Sequence, residues 1–171
     1  MINIYKPTIY AKNIYEINYD LLQQKNINYL LFDIDNTLAD SKTKYPPKEV
    51  IILFNTLKEK GFTILLITNA LPSRAKRFAK ILNVKSYYLS FKPLSRNYNK
   101  ILNYLNVKPN KIAAIGDQLL TDIKGANKQQ ITSILIDTIS SKESILTKLN
   151  RLKEKRIIKK YQLLKRGEYY E

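Results

Sequence analysis

The sequence predicts an α/β domain built on a parallel sheet with helices on both faces. Three observations lead there. Apolar runs without polar alternation recur along the chain, among them Tyr29-Leu30-Leu31-Phe32, Thr63-Ile64-Leu65-Leu66-Ile67 and Ile112-Ala113-Ala114-Ile115. Uninterrupted apolar strands suit a sheet buried on both sides. Amphipathic stretches of helical period separate these runs, which is the alternation of α/β layering. Four runs also end in polar clusters: Asp33-Ile34-Asp35-Asn36-Thr37, Thr68-Asn69, Lys92-Pro93 after Tyr87-Tyr88-Leu89, and Gly116-Asp117. An open parallel sheet binds ligands outside the carboxyl ends of its strands.

The elements follow in order. Residues 1–27 read as a polar, tyrosine-rich arm with a short helix near 14–24. Core strands are expected at about 28–34, 63–68, 86–90, 111–116 and 131–136. Helices near 47–60, 72–83, 95–106 and 119–128 follow the first four. Pro46-Pro47 and Pro72 suit helix starts and Gly61 suits a helix end. Residues 142–166 predict a last helix rich in Lys and Arg. Its apolar stripes, Ile145-Leu149-Leu152 and Ile157-Tyr161-Leu164, are out of phase, so no clean amphipathic face is expected. The domain reading is an arm at 1–27, a core at 28–141 and a basic C-terminal helix or tail at 142–171. No internal repeat or low-complexity linker is present.

Composition narrows the chemistry. The 171 residues include no cysteine and no histidine. Disulfides, Cys/His zinc sites, thiol nucleophiles and histidine bases are therefore excluded. Carboxylates, hydroxyls, lysine or an oxygen-ligated metal must carry any hydrolysis. No apolar run reaches the ~18 residues of a membrane span. The N-terminal residues lack the pattern of a secretory signal, so a cytoplasmic location is expected. The net charge of +16 suits anionic partners such as lipid headgroups, nucleic acid or phosphate esters. The bland reading is a lysine-rich coding bias on a solvated surface, since Ile, Asn, Lys and Tyr are abundant together.

The four clusters suit a metal ion and a phosphate. Asp33 and Asp35, two apart at a strand end, would point to one face. One carboxylate can attack phosphorus and the other can protonate the leaving oxygen and then activate water. Asp33 and Asp117 could ligate Mg²⁺, with a backbone carbonyl near Asp35 as a third oxygen. Thr68 and nearby N–H groups can hold phosphoryl oxygens, and Lys92 can neutralise their charge. Asp122 could orient Lys92 or reach the metal through water. Each piece alone has a structural reading: an Asx turn at Asp33, a helix cap at Thr68-Asn69, a surface lysine, a tight turn at Gly116. A calcium loop starting at Asp33 fails, because Leu38 and Lys44 stand where Gly and Glu are needed.

The order and spacing of the clusters resemble the haloacid dehalogenase superfamily of phosphatases over residues 28–137. Asp33-Ile34-Asp35-Asn36-Thr37-Leu38 is similar to its first motif, Thr68-Asn69 to the second and Lys92-Pro93 to the third. Gly116-Asp117-Gln118-Leu119-Leu120-Thr121-Asp122 is similar to the fourth. The resemblance implies a Rossmann-like three-layer α/β/α sandwich. It implies Asp33 as nucleophile, Asp35 as acid/base with Lys92 as a further catalytic group, and Thr68, Asn69 and Lys92 as substrate ligands. It implies Mg²⁺ held by Asp33, Asp35 and Asp117, with Asp122 beside them. The tyrosine-rich arm at Ile14-Tyr15-Glu16-Ile17, the Gly-Asp-Gln-Leu-Leu-Thr-Asp string and the basic end around Asn150-Arg151 resemble the YqeG-type phosphatases of the third subclass. That group is similar to the phosphatidylglycerophosphate phosphatases of mitochondria and plastids. Ala126 stands where a further glycine is expected.

Ten residues separate Asp35 from Pro46, and about twenty separate Asn69 from Lys92, already filled by a helix and a strand. Neither gap holds a cap domain, so the site should be open and suit a phosphate on a large or surface-bound molecule. The expected activity is an Mg²⁺-dependent phosphomonoesterase acting through an aspartyl-phosphate on a phospholipid such as phosphatidylglycerophosphate. Arg151, Lys153, Lys155, Arg156, Lys159 and Lys160 would make peripheral contact with anionic membrane on its inner face. The alternatives are a nucleotide or polynucleotide phosphatase, with the basic tail on nucleic acid, and a non-catalytic nucleic-acid or ribosome-associated adaptor. A phospho-accepting receiver domain fits less well, because Asp33 lies on the first core strand and Asp35 supplies a hydrolytic acid/base. Oligomeric state is not legible.

Overall fold

The computed structural model describes residues 3–139, 145–161, 163, 169 and 170, with the backbone alone for 145–148. The apolar runs become strands β2 (Tyr29–Phe32), β3 (Thr63–Ile67), β5 (Ile112–Gly116) and β6 (Thr132–Ile136). Two short strands, β1 (Ile9–Ala11) and β4 (Lys85–Tyr87), close the edges. All pairings are parallel, in the order β1-β6-β5-β2-β3-β4. The chain winds outward through β3 and β4, then returns beside β2 with β5. The order therefore reverses at β2, the switch point where such sheets hold ligands.

Side chains along each strand divide by parity. Leu30, Phe32, Ile64, Leu66, Ala113 and Ile115 face one layer. There they meet Val50 and Phe54 of α2 (Lys48–Glu59) and Phe78 of α3 (Pro72–Leu82). Leu31, Leu65, Ile67, Ile112 and Ala114 face the other. There they meet Tyr98 and Ile101 of α4 (Arg96–Leu105) and Ala126 of α5 (Lys124–Lys128). Burying each such large apolar side chain contributes about 1.5–3 kcal/mol, so the central strands are firmly held on both faces. This is the expected three-layer sandwich.

Several boundaries differ from expectation, each for a local reason. Residues 9–11 of the arm pair with β6 and pack into the core, as do Ile14, Ile17, Tyr19 and Leu22. Three residues between polar neighbours carry too little periodicity to read as a strand. Helix α1 is only Tyr19–Gln24, because the Asn18 side chain accepts from the Leu21 N–H and caps it there. The stretch 119–128 splits into a π turn, Leu119–Ile123, and α5. Strand β4 ends at Tyr87, before Leu89 and Phe91, whose φ values are 44° and 48°. Helix α6 spans Ile145–Tyr161; Leu164 lies outside the described residues. Leu149 and Leu152 point outward, while Glu154 is buried and Ile158 packs on Leu119 and Ile123. No helix among the described residues is long and apolar enough to cross a membrane.

Candidate active site

Strand β2 runs straight into the site. Asp33 N–H still donates to Ile115 O at 3.0 Å, so the ladder carries Asp33 past the last paired residue. Its carboxylate is 6% exposed. Lys92, also buried, donates to Asp33 Oδ1 at 2.6 Å, to Asp122 Oδ1 at 2.5 Å and to Ile67 O at 3.0 Å. All three ammonium protons are thus directed. Asn69 Oδ1 accepts from the Lys92 backbone N–H at 2.8 Å and fixes the loop that carries the lysine. Thr68, fully buried, accepts from Ala70 N–H at 3.1 Å.

The π turn places the fourth cluster. Asp122 Oδ2 accepts from Gln118 N–H at 3.1 Å, while Asp122 N–H donates to Gln118 O at 3.0 Å. This reciprocal pair aims Asp122 back across the strand end. Gly116 is required for that approach, since a Cβ there would stand 2.3 Å from Asp122 Cγ. Gly125 similarly admits Tyr98, which would lie 2.9 Å from an added Cβ. Ala126, where a further glycine was expected, sits buried in the second core without difficulty.

Asp33, Asp117 and Asp122 each turn one carboxylate oxygen into a cluster whose members lie within 4.8 Å of one another. Asp117 Oδ1, Asn36 Oδ1 and Thr37 Oγ1 are buried polar atoms without a hydrogen-bond partner among the described residues. An orphaned carboxylate oxygen inside an acidic cluster is costly unless a cation meets it. Three oxygens of hard donors suit a divalent cation such as Mg²⁺. Asp35 does not contribute its carboxylate to this set. It pairs instead with Arg74 Nε at 2.7 Å, so of the expected metal residues Asp33, Asp35, Asp117 and Asp122 the cluster gathers three carboxylates, and Asp35 is left the expected main-chain carbonyl role.

Burial raises the Asp33 carboxyl to about 7 despite Lys92, and Asp122 and Asp35 add to the rise. Burial likewise raises Asp117 to about 8, against the pull of Arg151. For Lys92, burial favours the neutral form, but Asp122 and Asp33 overcome it and raise its pKa, keeping it protonated.

Two site residues, Arg74 and Glu154, were not singled out by sequence, and a third, Arg151, is placed differently from expectation. Arg74, in the first turn of α3, holds Asp35 and also donates to Thr43 O and, at 3.0 Å, to Asp40 O. It fastens the 40–43 loop over the site. Arg151 had been assigned to a membrane-facing tail. The structure instead turns it inward onto the Asp117 carboxylate, with a second bond of 2.6 Å to Asp117 O. Glu154, one helical turn on, holds Arg151 at 3.0 Å and accepts from Leu120 N–H at 3.0 Å. The Arg-x-x-Glu spacing was visible, but a glutamate in a lysine-rich helix reads as an ordinary surface pair. A cavity of about 440 Å³ opens above these groups, lined by Asp33, Asp35, Thr68, Asn69, Lys92 and Asn150, among others.

The family model for haloacid dehalogenase-like hydrolases matches residues 45–128. The chain is 30% identical over 152 residues to "Probable phosphatase YqeG" of Bacillus subtilis (strain 168), an alignment covering 89% of this chain and 88% of that protein. Two solved structures are similar in fold. One is the 3-deoxy-D-manno-octulosonate 8-phosphate phosphatase of Moraxella catarrhalis in complex with magnesium, phosphate and KDO. It has a TM-score of 0.53 and 17% identity, over 84% of this chain and 92% of that one. The other is the D,D-heptose 1.7-bisphosphate phosphatase of B. bronchiseptica, complexed with magnesium and phosphate. It has a TM-score of 0.55 and 17% identity, over 65% and 81%.

Proposed function

We propose, for a chain that belongs to the haloacid dehalogenase superfamily and is a YqeG-like phosphatase, that it hydrolyses the terminal phosphate of an anionic phospholipid such as phosphatidylglycerophosphate through an aspartyl-phosphate on Asp33. The observation that carries the chemistry is the convergence of Asp33, Lys92 and the acidic cluster at the switch point of the sheet. Asp33 attacks phosphorus, and the bond from phosphorus to the ester oxygen breaks. Asp35 gives its proton to the departing oxygen, then takes one from the water that cleaves the aspartyl-phosphate. Inorganic phosphate leaves and Asp33 is restored. Lys92 and the Thr68 hydroxyl meet the equatorial oxygens, with Asn69 keeping Lys92 in register. Arg74 holds Asp35 in place. Asp33, Asp117 and Asp122, with the Asp35 main-chain carbonyl, would hold Mg²⁺, which supplies charge neutralisation when bound.

The lipid reading is supported by the uncapped cavity and the net charge of +16. The nucleic-acid reading has less support. Two aromatic residues that could stack on bases, Tyr169 and Tyr170, are engaged within the chain: Tyr170 bridges Tyr10, and Tyr169 donates to Asp137 Oδ2 at 2.7 Å. The test is a phosphatase screen with Mg²⁺ across lipid phosphates, sugar phosphates and nucleotides. Preference for a lipid phosphate supports the reading, and preference for a sugar phosphate or nucleotide overturns it.

The metal site predicts a pH signature. Asp33 and Asp117 bind protons more tightly folded than at the ordinary 3.8, reaching about 7 and about 8. The folded metal-free state thus holds more protons than the unfolded one between about pH 4 and 8. Their contribution is complete below the unfolded value and is lost as pH rises through the folded ones. A cation competes with those protons. The gain in melting temperature on replacing EDTA with Mg²⁺ should therefore be larger at pH 8 than at pH 5.5. An equal gain at both would place the cation elsewhere.

A further inference from the structure

The cavity mouth has an unusual rim. Leu71, Phe91 and Leu94 are 65%, 64% and 60% exposed, and Leu89 is also exposed. They come from two loops tied together by main-chain bonds: Ser90 N–H to Thr68 O at 3.0 Å and Leu89 N–H to Ala70 O at 3.2 Å. These same loops carry Thr68, Asn69 and Lys92, which line the cavity. Leu89 and Phe91 occupy the left-handed region of backbone space, unfavourable for bulky side chains. A hydrogen bond of 3.0 Å from Leu94 N–H to Phe91 O closes the turn between two of these tips. On the next loop, Lys42 and Lys44 are exposed, and Ser41 between Asp40 and Lys42 lines the cavity. Arg74 and Arg77 of α3 grip this loop, Arg77 donating to Lys44 O at 3.2 Å. Apolar tips and basic side chains thus sit on, or grip, the loops that carry the lining of one cavity.

We propose that this rim is a bilayer-contact surface: Leu71, Leu89, Phe91 and Leu94 enter the interface of an anionic membrane, while Lys42, Lys44 and Arg77 meet its headgroups. The proposal rests on the phospholipid reading and adds to it where the enzyme touches the membrane. Apolar side chains with neighbouring cations are the features that bind such a surface. Charge selects the occupant. Thirty basic against fourteen acidic residues makes two copies of this chain repel, whereas an anionic bilayer attracts it. The placement also answers a problem of access. A lipid phosphate lies at the headgroup level, and a cavity whose own walls bear the anchors meets it without withdrawing the lipid. Of the cations on α6, Arg151 is engaged in the site and does not join this contact.

The chain contains no tryptophan. Leu94→Trp in the full chain therefore supplies a single fluorescent reporter. Its emission should shift to the blue with vesicles of phosphatidylglycerol and phosphatidylcholine, and much less with phosphatidylcholine alone. Leu71→Gln with Leu94→Gln should lower co-sedimentation with the anionic vesicles by roughly tenfold or more. Hydrolysis of p-nitrophenyl phosphate by that double variant should remain at the parent rate. Unchanged vesicle binding by the double variant, or no blue shift, overturns the proposal. So does a blue shift that grows with protein concentration and needs no vesicles, which would make the rim a contact between copies. Lipid phosphate hydrolysed in vesicles without a blue shift removes the rim's role alone. A blue shift without lipid hydrolysis keeps the rim and removes the substrate.

Discussion

Asp33→Asn should abolish turnover, lowering kcat by at least about 10³-fold on any phosphate ester the enzyme accepts. The amide keeps the shape and can still accept from Lys92 Nζ through its oxygen, but it does not attack phosphorus. The fold should survive. Asp33 is buried and its carboxyl is already pushed up to about 7, so ionising it costs stability at neutral pH. Replacing it with a neutral group also relieves the repulsion from Asp122 and Asp117. The metal-free variant should therefore melt at or above the parent temperature at pH 8. Mg²⁺ should raise its melting temperature less than the parent's, because one cluster oxygen is no longer anionic. Beryllium fluoride with Mg²⁺, a mimic of the phosphorylated carboxylate, should add further stability to the parent and none to Asp33→Asn. Mg²⁺-dependent turnover in the purified variant at even a hundredth of the parent rate would end the covalent mechanism.

How much of this was legible differed by element. Strands β2, β3, β5 and β6 read directly from sequence because both faces are buried, so most residues in each run are apolar. The site residues at their ends read because Asp33 and Thr68 follow an apolar run immediately, and Asp117 and Lys92 within one to three residues. Strand β1 was hidden by its length, three residues, and owes its place to β6 rather than to its own pattern. Arg74 was hidden for another reason: among 30 basic residues nothing local distinguishes it. Its role depends on the 40–43 loop folding back from a distant part of the sequence to offer carbonyls. The role of Asp35 changed through the same contact, because Arg74 draws its carboxylate away from the acidic cluster. In the tail, Arg151 alone among the six expected membrane-facing cations turns inward, and nothing local marks it, because its partners Asp117 and Glu154 are a distant aspartate and a glutamate in a lysine-rich helix.

That polar contact gives the second large effect. Arg151→Ala should lower the melting temperature of the metal-free protein, and Mg²⁺ should recover most of the loss. Arg151 is 22% exposed along its side chain, and its partner Asp117 carboxylate is fully buried. Removing one member of a buried pair typically costs about 3–5 kcal/mol where the other stays charged, so the loss is read at pH 9, above the raised Asp117 value of about 8. At roughly 2–4 °C per kcal/mol for a domain of this size, a loss of about 6–20 °C is expected. Glu154 contributes to it, since it too is buried and loses its partner cation. A divalent cation in the acidic cluster offers Asp117 a second source of positive charge. The gain in melting temperature from Mg²⁺ should accordingly be larger in Arg151→Ala than in the parent. Hydrolysis of a small soluble ester should fall as well, since Arg151 bonds both the side chain and the main chain of Asp117. Lys155→Ala with Lys159→Ala and Lys160→Ala changes exposed positions of the same helix and should leave soluble turnover intact. If Arg151→Ala behaves like that triple variant, with no change in melting temperature, the guanidinium belongs to a solvated basic surface and the inward pairing is not maintained in solution. If its melting loss is the same in EDTA and in Mg²⁺, Arg151 supports the fold at a place the cation does not reach.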